Sequence, residues 1–182
     1  MFPVPRAIRF VPAALALLTA CATEAPPYAA PPAAAGKACA AHSDCAAAEV
    51  CAAKACGPMF PRTYTLTLQK ATLSSIDETG INWDSDGPPD AFVRMTVDTK
   101  LVAQCQSAPV NDTTSPVWQK TCAIALTKDS VIDFEVLDHD VPTPKLMSTK
   151  SLTAQDLESQ LRGLPGRWQD SVTTLDFALT PQ

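Results

Sequence analysis

The sequence has little glycine, little histidine and little positive charge, and each shortage argues against a class of function. Its six glycines form neither a Gly-x-Ser-x-Gly nucleophile turn nor a glycine-rich phosphate loop. The two histidines, His42 and His139, offer no evident base for a nucleophile. The 14 Lys and Arg residues are scattered among 19 Asp and Glu, whereas nucleic-acid binding needs a basic patch. We therefore expect neither an enzyme nor a nucleic-acid partner.

The N-terminal hydrophobic run, Phe10–Ala20, is too short to cross a bilayer as a helix and has the length of a signal-peptide core. It ends in Leu18-Thr19-Ala20-Cys21, which resembles the lipobox of bacterial lipoproteins. The resemblance implies that residues 1–20 are a signal peptide and that Cys21 is lipidated. An ordinary secretory signal that happens to end near a cysteine is the alternative. Because residue 22 is Ala rather than Asp, we expect an exported protein anchored in the outer membrane of a bacterial cell envelope.

The next two segments differ in composition from the rest of the chain. Residues 21–36 are rich in proline and alanine and lack apolar periodicity, so we expect an extended tether. Segment 37–58 contains four closely spaced cysteines, Cys39, Cys45, Cys51 and Cys56. So short an exported segment cannot bury a core, so we interpret them as two disulfides and leave the three pairings open. A zinc site is the rival interpretation, but the spacing lacks a Cys-x2-Cys pair.

The remaining chain, residues 62–182, has the period of β-strands. Thr63–Gln69 alternates threonines with Tyr64, Leu66 and Leu68, as a half-buried strand does. Further strands are predicted at Ala91–Asp98, Leu101–Gln106, Val117–Leu126, Val131–Leu137 and Val172–Leu179. A short helix is predicted after a cap at Thr153–Asp156. The pattern predicts an all-β fold, an antiparallel sandwich of seven or eight strands with one short helix.

Two cysteines remain, one on each of two consecutive predicted strands. Cys105 and Cys122 could form a cross-strand disulfide, which would leave only Cys21 unpaired. The alternative is two buried, reduced cysteines.

Two acidic turns lie at strand ends. Three carboxylates fall within Asp84–Asp90, and Asp138-His139-Asp140 follows the strand that begins at Val131. Turns that carry several carboxylates bind hard cations such as calcium. The spacing excludes an EF-hand, because the sixth position from Asp84 is Pro89 rather than Gly and the twelfth is Met95 rather than Glu.

The chain contains, in order, an acidic loop ahead of Phe92-Val93, the segment Thr114–Trp118 and an apolar strand that ends in Asp138-His139-Asp140. These three motifs in this order resemble those of the C2 domain, a calcium-dependent phospholipid-binding β-sandwich. The resemblance covers about Arg62 to Gln182. It implies metal ligation by the side chains of Asp84, Asp90, Asp138 and Asp140 and by the carbonyls of Trp83 and His139, with Asp77 and Asp86 as further candidates.

Mutual repulsion of these carboxylates is the physical reason to expect a cation, since a divalent ion relieves it. The plainer interpretation is that Asp is common in turns for its backbone hydrogen bonds, and that His139 faces solvent rather than acting as a base or metal ligand. Lys145 stands where the family usually has a further Asp. Its ammonium could take the place of a second ion, so we expect one calcium ion or weak binding.

The resemblance implies a phospholipid membrane as partner, reached through both the lipid anchor and the calcium loops. Four apolar side chains would enter the headgroup region if they are exposed at the loop tips: Ile81, Trp83, Val141 and Leu146. The alternative is a structural or protein-interaction lipoprotein that holds another envelope protein and has reduced or absent calcium binding.

Overall fold

Two antiparallel four-stranded sheets pack face to face in the computed structural model of the protein, which describes residues 36–85, 87–140 and 142–182. The strands are β1 (Glu49–Ala52), β2 (Ala55–Pro58), β3 (Arg62–Leu73), β4 (Ala91–Val97), β5 (Lys100–Leu101), β6 (Val117–Leu126), β7 (Val131–Asp138), β8 (Lys145–Thr153), β9 (Gly166–Gln169) and β10 (Thr173–Pro181). One sheet has the order β6-β3-β10-β9 and the other β5-β4-β7-β8, while β1 and β2 form a separate hairpin. The predicted all-β sandwich is therefore confirmed.

The described residues belong to one compact unit. Within it a single four-residue α-helix, α1 (Glu158–Leu161), separates β8 from β9. None of the helices in this part of the chain has the length and apolar character that crossing a membrane requires. The predicted signal peptide, the lipidation site Cys21 and nearly all of the tether fall outside the described residues, so these assignments stay predictions.

Strand β3 shows why the alternating pattern folds as it does. Tyr64, Leu66 and Leu68 are completely buried between the sheets, and the threonines between them point the other way. Each such side chain contributes about 1.5–3 kcal/mol by leaving water. The two sheets meet at Phe134 and Phe177, whose ring centroids lie 5.3 Å apart.

Two predicted elements differ from the structure. The strand expected at Leu101–Gln106 is only Lys100–Leu101, followed by a 3-10 turn at Ala103–Cys105. Strand β8 is absent from the prediction, because its residues do not alternate between buried and exposed. Two adjacent residues within it, Met147 and Ser148, are both buried. The cause is a register shift opposite Val136 and Leu137 in the β7–β8 ladder.

The short edge strand β9 is also absent from the prediction. It depends on Gly166, where an added Cβ would lie 2.3 Å from the Phe177 ring. Strand β9 has only four residues and begins where the backbone lies close to an aromatic ring. Its alternation is therefore too short to be predicted from the sequence.

The cysteine-rich segment is a disulfide-linked hairpin. The bonds join Cys39 to Cys51 and Cys45 to Cys56, which selects one of the three open pairings and leaves none of these four thiols for zinc. The hairpin turn places Ala53 and Lys54 at positive φ, 49° and 65°. A third disulfide joins Cys105 to Cys122, as expected, although Cys105 lies on a 3-10 turn rather than on a strand.

Arg162 holds this hairpin to the sandwich. Arg162 comes directly after α1. Its guanidinium donates four hydrogen bonds of 2.9–3.0 Å to main-chain carbonyls of the cysteine-rich segment, those of His42, Ala46, Ala47 and Glu49. Val50 of β1 is completely buried and is part of the same apolar core as the two sheets. The segment is therefore packed and hydrogen-bonded against the domain that follows it.

We predict that Arg162→Met lowers the free energy of unfolding by about 2 kcal/mol, because several carbonyls would lose a charged donor. Urea denaturation measures the change. Arg167→Met is the matched control, since Arg167 is 62% exposed and pairs with Asp176 on the surface; its loss should change the free energy of unfolding much less. Equal effects of the two substitutions would contradict the role given to Arg162.

Candidate metal centre

The two acidic loops meet at one end of the sandwich because β4 begins where its neighbour β7 ends. Ala91 is the Cα partner of Asp138 in the β4–β7 ladder. The Asp90 N–H donates to Asp138 Oδ1 at 2.8 Å, and the His139 N–H donates to the Asp90 carbonyl at 3.0 Å. Main-chain hydrogen bonds thus fix one acidic loop against the other.

Three carboxylates converge at this junction. One oxygen each of Asp84, Asp138 and Asp140 lies within 4.8 Å of the others. Asp138 is completely buried, and its Oδ2 has no hydrogen-bond partner among the described residues. A buried, unpaired carboxylate oxygen is costly unless something positive lies against it. The residues present therefore suit a hard cation with oxygen ligands.

Burial raises the pKa of the Asp138 carboxyl. The Asp90 N–H opposes the shift, the Asp140 and Asp90 carboxylates add to it, and the Lys145 ammonium again opposes it. An acid whose pKa is raised by folding favours the fold fully below its unfolded pKa, and that contribution is lost as the pH rises through the folded pKa. Without a cation, ionised Asp138 therefore lowers the stability of the fold at neutral pH.

The side chains of two other predicted ligands, Asp90 and Asp77, accept hydrogen bonds from residues outside the three-carboxylate group. Asp90 is not in the three-carboxylate group, and its Oδ1 accepts the Asp112 N–H at 2.8 Å. Asp77 Oδ1 accepts hydrogen bonds from Thr79 and from the Ile81 N–H, which lower its pKa and close a tight turn. Asp77 too lies outside the group. Asp112 could not be found from sequence because its contribution is a main-chain donor, which the identity of the residue does not reveal.

Several remaining predictions concern the loop tips. The main-chain carbonyls of Trp83 and His139 stay predicted ligands; the His139 side chain is exposed, and its ring lies edge-on to Phe92 at 6.1 Å. Asp86 and Val141 lie outside the described residues. Of the apolar side chains expected at the tips, Ile81 is 63% exposed and Leu146 51%.

The position of Trp83 differs from the prediction, because only 8% of this residue is exposed. The expectation that its indole stands free at a loop tip is wrong. The ring belongs to the apolar core, and the Lys145 ammonium lies 4.8 Å from its centroid. A tryptophan with a cation over its ring is held in place rather than presented to a membrane.

The fold and site define a class: a β-sandwich module whose acidic side chains are gathered on loops at one end. The particular family follows from comparison with known proteins. The model of the C2 domain matches residues 56–167, more than half of the sequence, and the chain belongs to this family. A search of curated protein sequences found no significant match.

Solved structures with the same fold include the paired C2 domains of Extended-Synaptotagmin 2, at 14% identity and a TM-score of 0.54, with 66% of this chain and 41% of that chain covered. The calcium-bound form of that pair matches at 16% identity and a TM-score of 0.53, with 66% and 45% covered. This chain thus spans less than half the length of either structure. A single C2 domain of plant Extended Synaptotagmin 1 matches at 14% identity and a TM-score of 0.51, with 67% and 95% covered. At such identities the likeness concerns the fold alone.

We predict that Asp138→Asn stabilises the protein in a calcium chelator at neutral pH by about 1 kcal/mol, because it removes a buried like charge and keeps Oδ1 as an acceptor. The gain should vanish at acid pH, where Asp138 is protonated. Urea denaturation at both pH values measures it.

Asp133→Asn, on the same strand, is the control. Asp133 accepts hydrogen bonds from Thr96 and Ser151, so its loss should cost about 1 kcal/mol. A destabilised Asp138→Asn protein at neutral pH in chelator would refute the account of Asp138.

Proposed function

We propose that the protein is a non-catalytic, calcium-binding C2 module that attaches to phospholipid surfaces through its acidic loops. The observation that carries the proposal is the buried, unpaired Oδ2 of Asp138 beside the carboxylates of Asp84 and Asp140. Membership of the C2 family and the fold shared with a calcium-bound structure add support.

Calcium takes six to eight oxygens at flexible geometry. Three carboxylates, supplemented by the carbonyls of Trp83 and His139 and by Asp90, leave coordination positions for lipid phosphate. The ion would relieve the repulsion among the aspartates and bridge the protein to the membrane. Lys145, the Cα partner of Asp138 in the β7–β8 ladder, adds a positive charge nearby, which favours a single ion of modest affinity.

Exposed apolar side chains accompany the acidic loops. Ile81 is on the loop that carries Asp84, and Leu146 follows Lys145 at the start of β8. Side chains of this kind enter the headgroup boundary when a charged contact has brought them there. Calcium binding and shallow insertion would thus act together.

We further propose that the protein is exported, lipidated at Cys21 and anchored in the outer membrane of a bacterial envelope. The support is the sequence Leu18-Thr19-Ala20-Cys21 after an apolar run, and the three disulfides, which form in oxidising compartments. Residues 21–36 would hold the folded unit away from that anchor.

A second candidate function is a structural or interaction module that holds another envelope protein, with calcium binding reduced or absent. Lys145 favours it, because its ammonium opposes the raised pKa of the Asp138 carboxyl, as a metal ion would. A calcium titration separates the two candidates.

We predict that calcium raises the melting temperature, by an amount equivalent to about 1.4 kcal/mol at ten times its dissociation constant. Differential scanning calorimetry measures the shift, with magnesium as the competing ion. Asp140→Asn should abolish it, whereas Asp133→Asn should lower the melting temperature and leave the calcium-induced rise intact. Calcium-dependent sedimentation with anionic vesicles tests the membrane function. No thermal shift at millimolar calcium would favour the interaction module.

We predict that Cys21→Ser abolishes fatty-acid labelling of the protein in a bacterial host and, in a calcium chelator, its fractionation with the outer membrane. Metabolic labelling with an alkyne fatty acid and membrane fractionation measure these effects. Thr19→Ser is the matched control, because it changes the same region and keeps the cysteine. Labelling that persists in Cys21→Ser would overturn the assignment.

A further inference from the structure

An open cavity of about 510 Å³ lies beside the metal centre and differs from it in its chemistry. Three segments build it: the β3–β4 loop, the start of β8 and the β9–β10 turn. Its charged lining consists of three carboxylates and one ammonium, those of Asp77, Glu78, Asp170 and Lys145. Such a lining attracts a cationic group and also offers one cation to an anionic group.

The carboxylates are tied to the cavity wall but keep accepting capacity. Glu78 Oε1 accepts the Ser171 hydroxyl at 3.1 Å, which links the β3–β4 loop to the β9–β10 turn. Asp170 caps that turn through the Val172 and Thr173 N–H groups and accepts the Ser148 hydroxyl. The hydrogen bonds of Asp77 and Glu78 within the described residues use one oxygen of each carboxylate. Two fixed carboxylates therefore retain an oxygen for a ligand ammonium.

The one ammonium of the lining belongs to the wall that the cavity shares with the candidate metal centre. Lys145 lines the cavity and is the Cα partner of Asp138. Trp83 also lines it, and its indole Nε1–H is buried and has no hydrogen-bond partner in the described part of the chain. Lys145 is exposed, so its ammonium is the donor that an anionic ligand group in the cavity can reach.

We propose that this cavity takes the phosphoethanolamine headgroup of a phospholipid, with the ammonium toward Asp77 and Glu78 and the phosphate toward Lys145. The proposal rests on the membrane function proposed above and names the lipid class. A lipid source fits better than a free metabolite or a peptide, because exposed Leu146 lines the cavity and exposed Ile81 lies on the turn closed by Asp77. A purely anionic headgroup would face the three carboxylates without an amine to offset them.

The first test uses the full-length chain carrying Cys21→Ser, so that acylation there cannot contribute. Glycerophosphoethanolamine is titrated while the Trp83 indole and Ser171 amide signals are followed by NMR, with and without calcium. Saturable shifts of both signals are expected, and glycerol phosphate, which lacks the amine, should produce much smaller ones. Glu78→Gln should weaken binding about fivefold, as expected for one exposed ion pair. Glu158→Gln, which removes a charge from helix α1 outside the cavity, should leave it unchanged.

The second test measures calcium-dependent sedimentation with vesicles of phosphatidylglycerol alone or mixed equally with phosphatidylethanolamine. Stronger binding to the mixture, lost in Glu78→Gln, supports the lipid source. Calcium-dependent binding without headgroup preference, together with no NMR shift, overturns this inference and leaves the proposed function standing.

Shifts with glycerophosphoethanolamine but no calcium dependence would reject the proposed function and retain the cavity's ligand chemistry. Equal NMR shifts with glycerol phosphate would overturn the role of the ammonium. Saturable shifts with a tetralysine peptide and none with glycerophosphoethanolamine would replace the headgroup with a basic protein segment.

Discussion

The hydrogen bond from the Asp90 N–H to Asp138 Oδ1 is the contact on which the loop end of this domain depends. It joins residues 48 positions apart in sequence and commits one carboxylate oxygen to structure. The other oxygen is buried and has no partner among the described residues. A chain that buries a carboxylate in this way accepts a loss of stability at neutral pH, and a cation is the simplest species that reverses it.

Lys145 places a positive charge near the buried carboxylate of Asp138. Its ammonium is close enough to oppose the raised pKa of Asp138 and to lower that of Asp77, and it also lies over the Trp83 ring. The same side chain thus acts on the carboxylate cluster, lines the cavity beside it and contacts the ring of a core tryptophan. The two candidate functions differ in how far this resident charge replaces a metal ion.

Much of the sandwich could be predicted from sequence because its long strands are half-buried and alternate. The bounds of β6 agree with the prediction, Val117–Leu126, and β3, β4, β7 and β10 differ only at their ends. The acidic loops could be found because charged residues stand directly before one apolar strand, β4, and at the end of another, β7. Strands β8 and β9 could not, since a register shift and a glycine packed on Phe177 remove the period on which such a prediction depends.

Contacts between residues far apart in the sequence limit how much of the candidate site can be predicted. The sequence shows a tryptophan in an acidic loop, but burial of Trp83 depends on how that loop folds back onto the core. The lining of the cavity by Asp170 depends likewise on a turn that lies far along the chain from the β3–β4 loop. The sequence showed that the carboxylates stand at strand ends and did not identify their neighbours.

The way the cysteine-rich hairpin is held determines how the domain would bear a mechanical load. A pull applied at the N-terminal side of the hairpin reaches two crossed disulfides, which cannot extend, and then β3, which is hydrogen-bonded along both edges to β6 and β10. Such a strand is loaded in shear, so many bonds share the force. The hydrogen bonds of Arg162 join the same hairpin to the chain after α1, so part of the load would also pass to that side of the sandwich.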